Sequence, residues 1–137
     1  VLIGKRKKEP EINGWQIPGG IVEFNNKENL LEAAEREALE ETGVSVKKLQ
    51  HFASIHSTYY GFACPLHNGF VGYAKSEALP PNPEPLKADN WQWVPLNKLP
   101  KGTWYRISRI AIDFYKKVKK NPSISRFVLD EAAFHNN

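Results

Sequence analysis

Between Glu28 and Glu41 the chain sets six glutamates (Glu28, Glu32, Glu35, Glu37, Glu40 and Glu41) against a single base, Arg36, and then stops at Thr42-Gly43. The stretch carries −5 in a chain of net +4, so the remainder carries +9. At 3.6 residues per turn, Glu37, Glu40 and Glu41 fall within roughly 100° of arc, which predicts one patch of three carboxylates. Like charges at such spacings cost an isolated helix about 0.2–0.5 kcal/mol each. The partial negative charge of a final helical turn repels Glu40 and Glu41 further. Acid concentrated in this way calls for a neutralising partner outside the helix. The simplest is a hard divalent cation that takes oxygen ligands and is shared with the phosphates of a substrate.

A Glu-rich helix is ordinarily a solvated face; its neighbours set this one apart. Pro18-Gly19-Gly20-Ile21-Val22-Glu23 is a turn whose glycines allow a carbonyl to approach an ion closely. Gly43 stands where a left-handed helix cap is expected. Taken together, PGGIVE, Glu28, seven residues, and then Arg36-Glu37-Ala38-Leu39-Glu40-Glu41-Thr42-Gly43-Val44 resemble the Nudix box of the nucleoside-diphosphate-linked hydrolases. Seven residues rather than five separate Gly20 from Glu28, so Phe24-Asn25-Asn26-Lys27 reads as a loop lengthened by two.

The resemblance implies that Glu37, Glu40, Glu41 and the Gly20 carbonyl are ligands of Mg²⁺ or Mn²⁺. It implies too that Arg36 orients Glu37, that Glu28 completes the outer shell, and that the general base is Glu37 or Glu40. The chemistry is consistent with this. A phosphoanhydride resists attack because its oxygens repel a nucleophile, so a catalyst must neutralise that charge and supply hydroxide. The implied fold is α/β, a Nudix-type α/β/α sandwich with a mixed sheet between helices and the box as loop-helix-loop. Asp89, ahead of Trp91-Gln92-Trp93-Val94-Pro95, lies near where several relatives place a further acidic ligand.

Specificity must come from outside the box. Arg6, at the end of the first strand, is a candidate phosphate contact, and Trp15, Tyr59, Tyr60, Phe62 and Trp91 are candidates to stack on a nucleobase. Each of these aromatics has core packing as its ordinary alternative. Tyr59-Tyr60 occupy the region where family subgroups carry secondary marks, with Pro65 the nearest proline, which argues against ADP-ribose as substrate. The expected substrate is a nucleoside di- or triphosphate or a sugar nucleotide. The competing readings are a nucleotide sensor without turnover and a dinucleoside polyphosphate or ADP-ribose hydrolase.

At 137 residues, 41% of them hydrophobic, the chain suits a single domain spanning residues 1–137. It lacks an 18-residue apolar run and a secretory pattern, and its one cysteine, Cys64, suits a reducing cytoplasm. There is no methionine, and the chain opens on Val1-Leu2-Ile3 as though inside a strand, so the natural protein is expected to start earlier. The lysine clusters at 5–8, 47–48 and 116–120 are scattered, which fits a small phosphorylated partner and no nucleic acid.

Strands are predicted at Val1–Lys5, Trp15–Ile17, Leu49–Tyr60, Gly69–Ser76 and Trp91–Val94, with an irregular loop over Leu79–Asp89. Helices are predicted at Asn29–Thr42, with Leu30, Leu31, Ala33, Ala34, Ala38 and Leu39 available for packing, and at Tyr105–Lys120, with Ile107, Ile110, Ala111, Phe114 and Val118 facing a core. The tail after Pro122 either folds back or reaches the partner subunit of a homodimer.

Overall fold

The computed structural model describes residues 1–130 other than Val22 and 62–65, with Phe24 described by its backbone alone. Phe62, Cys64, Pro65 and the end of the tail therefore lie outside the described residues. In chain order the elements are β1 (Leu2–Arg6), β2 (Trp15–Gln16), a 3₁₀ turn (Phe24–Asn26), α1 (Leu30–Thr42), β3 (Val46–His56), β4 (Leu66–Ala74), β5 (Ala88–Trp93), α2 (Arg106–Lys120) and β6 (Phe127–Leu129).

The strands form two sheets rather than one. The first, β2-β1-β5, is antiparallel throughout; the second, β4-β3-β6, is mixed, with β6 parallel to β3. In its described part the tail thus folds back as an edge strand.

Helix α2 joins the sheets because its apolar stripe serves two clusters. Ile107 and Ala111 pack with Phe52, Ala53 and Ile55 of β3, while Ile112 packs with Ile3, Trp15 and Trp104. Backbone bonds from Trp15 N to Thr103 O (2.9 Å) and from Tyr105 N to Trp15 O (2.8 Å) tie β2 to the start of α2. The Ile17 N–H donates to Ser108 Oγ at 3.1 Å. The chain entering the Pro18-Gly19-Gly20 turn is therefore held by α2.

Helix α1 is delimited by its own residues. Asn29 accepts the Glu32 N–H through its side chain while Glu32 accepts the Asn29 N–H, a reciprocal cap that satisfies two otherwise orphaned donors. At the other end Gly43 adopts φ 72° and donates to Leu39 O, ending the helix in a left-handed residue. Which face it buries differs from the expectation. Leu30, Leu31 and Leu39 are exposed, and the buried residues are Ala33, Glu41 and Thr42. The stripe toward β3 and β4 runs 33-37-41 and 34-38, so small alanines let the helix approach the sheet and carry Glu37 and Glu41 inward with them.

Candidate active site

The box arginine organises the acids. Arg36 donates from Nε and Nη2 to the two oxygens of Glu28 at 2.6 and 3.0 Å, from Nη1 to Glu37 Oε1 and Glu40 Oε2 at 2.9 Å each, and from Nη2 to the Ile21 carbonyl at 2.8 Å. A planar guanidinium with five N–H groups is suited to several acceptors at once. These carboxylates hold its pKa above the ordinary arginine value, Glu28 foremost. In return Arg36, followed by the Glu23 N–H at 2.8 Å, lowers the pKa of Glu28. The lengthened loop does not carry Glu28 away: its two extra residues are taken up in the 3₁₀ turn over Phe24–Asn26, where Asn26 bonds back to Glu23.

Glu41 has different surroundings. It is 3% exposed and accepts the Gly19 N–H at 3.0 Å. Burial pushes its pKa up to about 7, with the Gly19 bond opposing and the charge of Glu37 adding to the rise. Helical spacing predicts one patch of three carboxylates; tertiary packing divides it. Glu37 and Glu40 turn toward Arg36, while Glu41 turns under the glycine loop, because only burial against β3 and β4 distinguishes its side of the helix. Among the described residues no three acidic, imidazole or thiol groups are drawn together closely enough to hold an ion between them.

The donor chemistry nonetheless fits a hard cation. The groups on offer are carboxylate and carbonyl oxygens, the set Mg²⁺ prefers. The Glu37 carboxyl fills the space a side chain at Gly20 would take, since a Cβ there would stand 2.0 Å from Glu37 Cδ. Glu84 adds an oxygen, Oε2, that is buried without a hydrogen-bond partner among the described residues.

Sequence reading missed Glu84 and its neighbour Lys87. Glu84 Oε1 accepts from Lys87 Nζ at 2.8 Å, and its charge contributes to the raised pKa of Glu41. The pKa of Lys87 is raised chiefly by Glu84, with further contributions from Glu37 and Glu41. The proline-rich loop reaches the box because Pro80 sits on the helix cap, where a Cβ on Gly43 would lie 2.5 Å from its ring. The signal available in the sequence was an acid flanked by prolines, Pro83-Glu84-Pro85, but nothing local says that such a loop docks on α1.

The remaining expected site residues are placed as follows. Asp89 is half exposed and pairs with Lys7 at 2.7 Å. Arg6 is 6% exposed, bonds to Gln16 Oε1 (2.7 Å) and to the carbonyls of Pro10 (2.8 Å) and Glu9 (3.1 Å), and lies 4.1 Å over the Tyr105 ring. It braces the loop after β1.

Trp15 belongs to the core, against Trp104. Trp91 lies across Gly4 at a bulge of the β1–β5 pairing, so close that a Cβ there would meet the indole at 2.6 Å. Tyr60 stacks on Tyr105 with ring centroids 5.5 Å apart and donates to Glu11. Tyr59 is 44% exposed, with the Arg106 guanidinium 4.3 Å over its ring. Of the candidate stacking residues described, it is the one with substantial ring surface in solvent.

This geometry can be set beside known proteins. The NUDIX domain profile matches residues 1–114. The RNA pyrophosphohydrolase of Bartonella tribocorum is 32% identical over 76% of this chain and 65% of its own length. The ADPR responsive transcriptional repressor NtrR of Acinetobacter baylyi is 36% identical over 40% of this chain and 22% of its own length. The chain thus spans less than two thirds of either relative. Among solved structures, the MutT NUDIX hydrolase from Burkholderia pseudomallei superposes with a TM-score of 0.66 at 26% identity, covering 82% of this chain and 85% of that one.

Proposed function

The chain belongs to the NUDIX family, and from that premise we propose that it hydrolyses a phosphoanhydride bond in a nucleoside diphosphate derivative with Mg²⁺ or Mn²⁺ as cofactor. The observation that carries the reading is one guanidinium, Arg36, holding Glu28, Glu37 and Glu40 at 2.6–3.0 Å, beside a glycine whose side-chain space the Glu37 carboxyl already fills. The residues that would hold the cation are Glu37, Glu40, Glu41 and the Gly20 carbonyl, with Glu84 adjoining. When bound, it supplies charge neutralisation at phosphate oxygens and a water acidified enough to attack.

The chain's own residues prepare this. Arg36 keeps Glu37 and Glu40 from spreading apart by repulsion. Glu28, held at both oxygens, fixes the plane of Arg36. Lys87 holds Glu84 and adds positive charge beside Glu37 and Glu41. The general base is Glu37 or Glu40. A nucleoside di- or triphosphate or a sugar nucleotide is the substrate we favour, with Tyr59 offering a ring to the base. Such substrates suit action in the cytoplasm.

The similarity over part of the chain to an ADPR responsive repressor supports a second reading, nucleotide sensing without turnover. A panel of nucleoside triphosphates, sugar nucleotides, ADP-ribose and dinucleoside polyphosphates, supplied with Mg²⁺ or Mn²⁺ and read by product mass, separates the two. Catalytic turnover of one class supports hydrolysis. Tight binding of a nucleotide with no product overturns it in favour of sensing.

A further inference from the structure

The charge of this chain is strongly divided. Residues 96–120 hold eight lysines and arginines and one carboxylate, Asp113, a net of +7 in a chain of +4, so the other 112 residues carry −3. Read along the sequence these bases look dispersed, but the fold gathers three of them. The segment after β5 lies along α2 and leaves a cleft of about 430 Å³, lined by Leu96, Asn97 and Lys101 on one side and by Arg109 and Lys116 on the other.

The cleft is preformed rather than loose. Leu96 and Leu99 pack on the cluster of Ile3, Trp15, Trp104 and Ile112, and Trp104 Nε1 donates to the Pro100 carbonyl at 3.2 Å. Asp113 accepts from Arg109 at 2.8 Å and lies 3.8 Å from Lys116, so one carboxylate is shared between two cations. Lys101 is exposed.

The helix dipole accounts for Lys117, Lys119 and Lys120 in the last turn of α2. It does not account for Arg109, near the start of the helix, or for Lys101 before it. A membrane surface is a poor partner, because none of the exposed large apolar side chains among the described residues lies on α2 or on 94–104. A lone phosphate is poor too, since a cleft of about 430 Å³ leaves most of its space unfilled by a group of five heavy atoms.

We propose that this cleft binds a single-stranded phosphodiester chain, with Lys101, Arg109 and Lys116 on its phosphates. Arg109 and Lys116 meet on Asp113 from one wall of the cleft and Lys101 stands on the other, so a chain lying between the walls has cations on both sides. The binding is independent of hydrolysis at α1.

Fluorescence anisotropy of labelled oligouridylate and oligothymidylate of about twelve residues, at about 50 mM salt, tests this. The comparison is between wild type and the K101Q/R109Q/K116Q variant, with melting temperature checked for both. The variant is expected to bind at least about tenfold more weakly and to lose about 2 from the slope of log K against log salt, at about 0.7 per phosphate. A K47Q/K48Q variant on β3 keeps wild-type binding, and nucleotide hydrolysis is unchanged in both variants.

Binding of both oligomers supports recognition of backbone charge, and binding of the ribo-oligomer alone supports the proposal with a sugar contact added. No binding by wild type, equal binding by the triple variant, or displacement by inorganic phosphate at an equal concentration of phosphate groups overturns it.

Discussion

Gly20 and Glu37 are in contact through the absence of a side chain: a Cβ on Gly20 would stand 2.0 Å from Glu37 Cδ and 2.1–2.2 Å from both carboxylate oxygens. Gly19 next to it has open space, with nothing among the described residues within 4 Å of a Cβ. We therefore expect Gly20→Ala to displace Glu37 and lower kcat by about ten- to a hundredfold, the range for a misplaced charged group in a preorganised site. Gly19→Ala should stay close to wild type, since its N–H still reaches Glu41. Equal loss in the two variants would refute the steric argument.

Glu41 links the site to stability. Its pKa is raised to about 7 in the folded protein from 4.5, so the folded state holds a proton that the unfolded chain releases between those values. Stability should consequently fall as pH rises from about 4.5 to about 7, the sign for a carboxylate favoured in its neutral form. In chelator-treated protein at pH 8, Glu41→Gln should be more stable than wild type by on the order of 2–3 kcal/mol, converging on it near pH 4.5. The same variant should lose about a hundredfold or more in kcat. Urea melts at the two pH values and steady-state kinetics measure both effects.

Two acids, Glu84 ahead of β5 and Asp89 within it, should behave differently. Glu84, with a buried oxygen that lacks a partner among the described residues, should matter, so Glu84→Gln is expected to weaken Mn²⁺ binding about tenfold or more by calorimetry. Asp89, paired with Lys7 at the surface, should not: Asp89→Asn stays within about 1 kcal/mol of wild-type stability and keeps its metal affinity.

Addition of Mg²⁺ or Mn²⁺ should raise the melting temperature, because an ion bound only by the folded acids stabilises by mass action, about 2.7 kcal/mol at a hundredfold excess over Kd. EDTA should abolish both this rise and the activity. Full turnover in chelator is the result that rules out the metal.

The aromatics divide by burial. Tyr59→Ala should raise KM on the best substrate by about tenfold or more with little change in kcat, as expected of a base-stacking ring. Trp15→Ala should cost about 3–5 kcal/mol of stability, because it empties a core position. An unchanged KM for Tyr59→Ala would place base recognition elsewhere.

What the chain determines by itself is what acts within a turn or two of helix. The ends of α1, the run from Arg36 to Gly43, and the core-facing stripe of α2 follow from caps, glycine and 3.6-residue periodicity, which need no distant partner. Periodicity also marks Leu30, Leu31 and Leu39 as apolar, yet they are exposed and Ala33, Glu41 and Thr42 are buried. Which stripe goes inward depends on how closely the helix meets the sheet, and that is set by β3 and β4.

Long-range packing decided the remainder. Pro80 seated on Gly43 brings Glu84 and Lys87 to the box, and Gln16 with the 9–10 carbonyls turns Arg6 into a buried brace. Asp130, paired with Arg106 and Ser57, draws β6 onto β3. Each of these pairs residues far apart in sequence or commits a polar group whose need for a partner is visible locally while the partner is not. The box could therefore be read from residue types and spacing, but the surroundings that tune it exist only once separate stretches of chain are folded against one another.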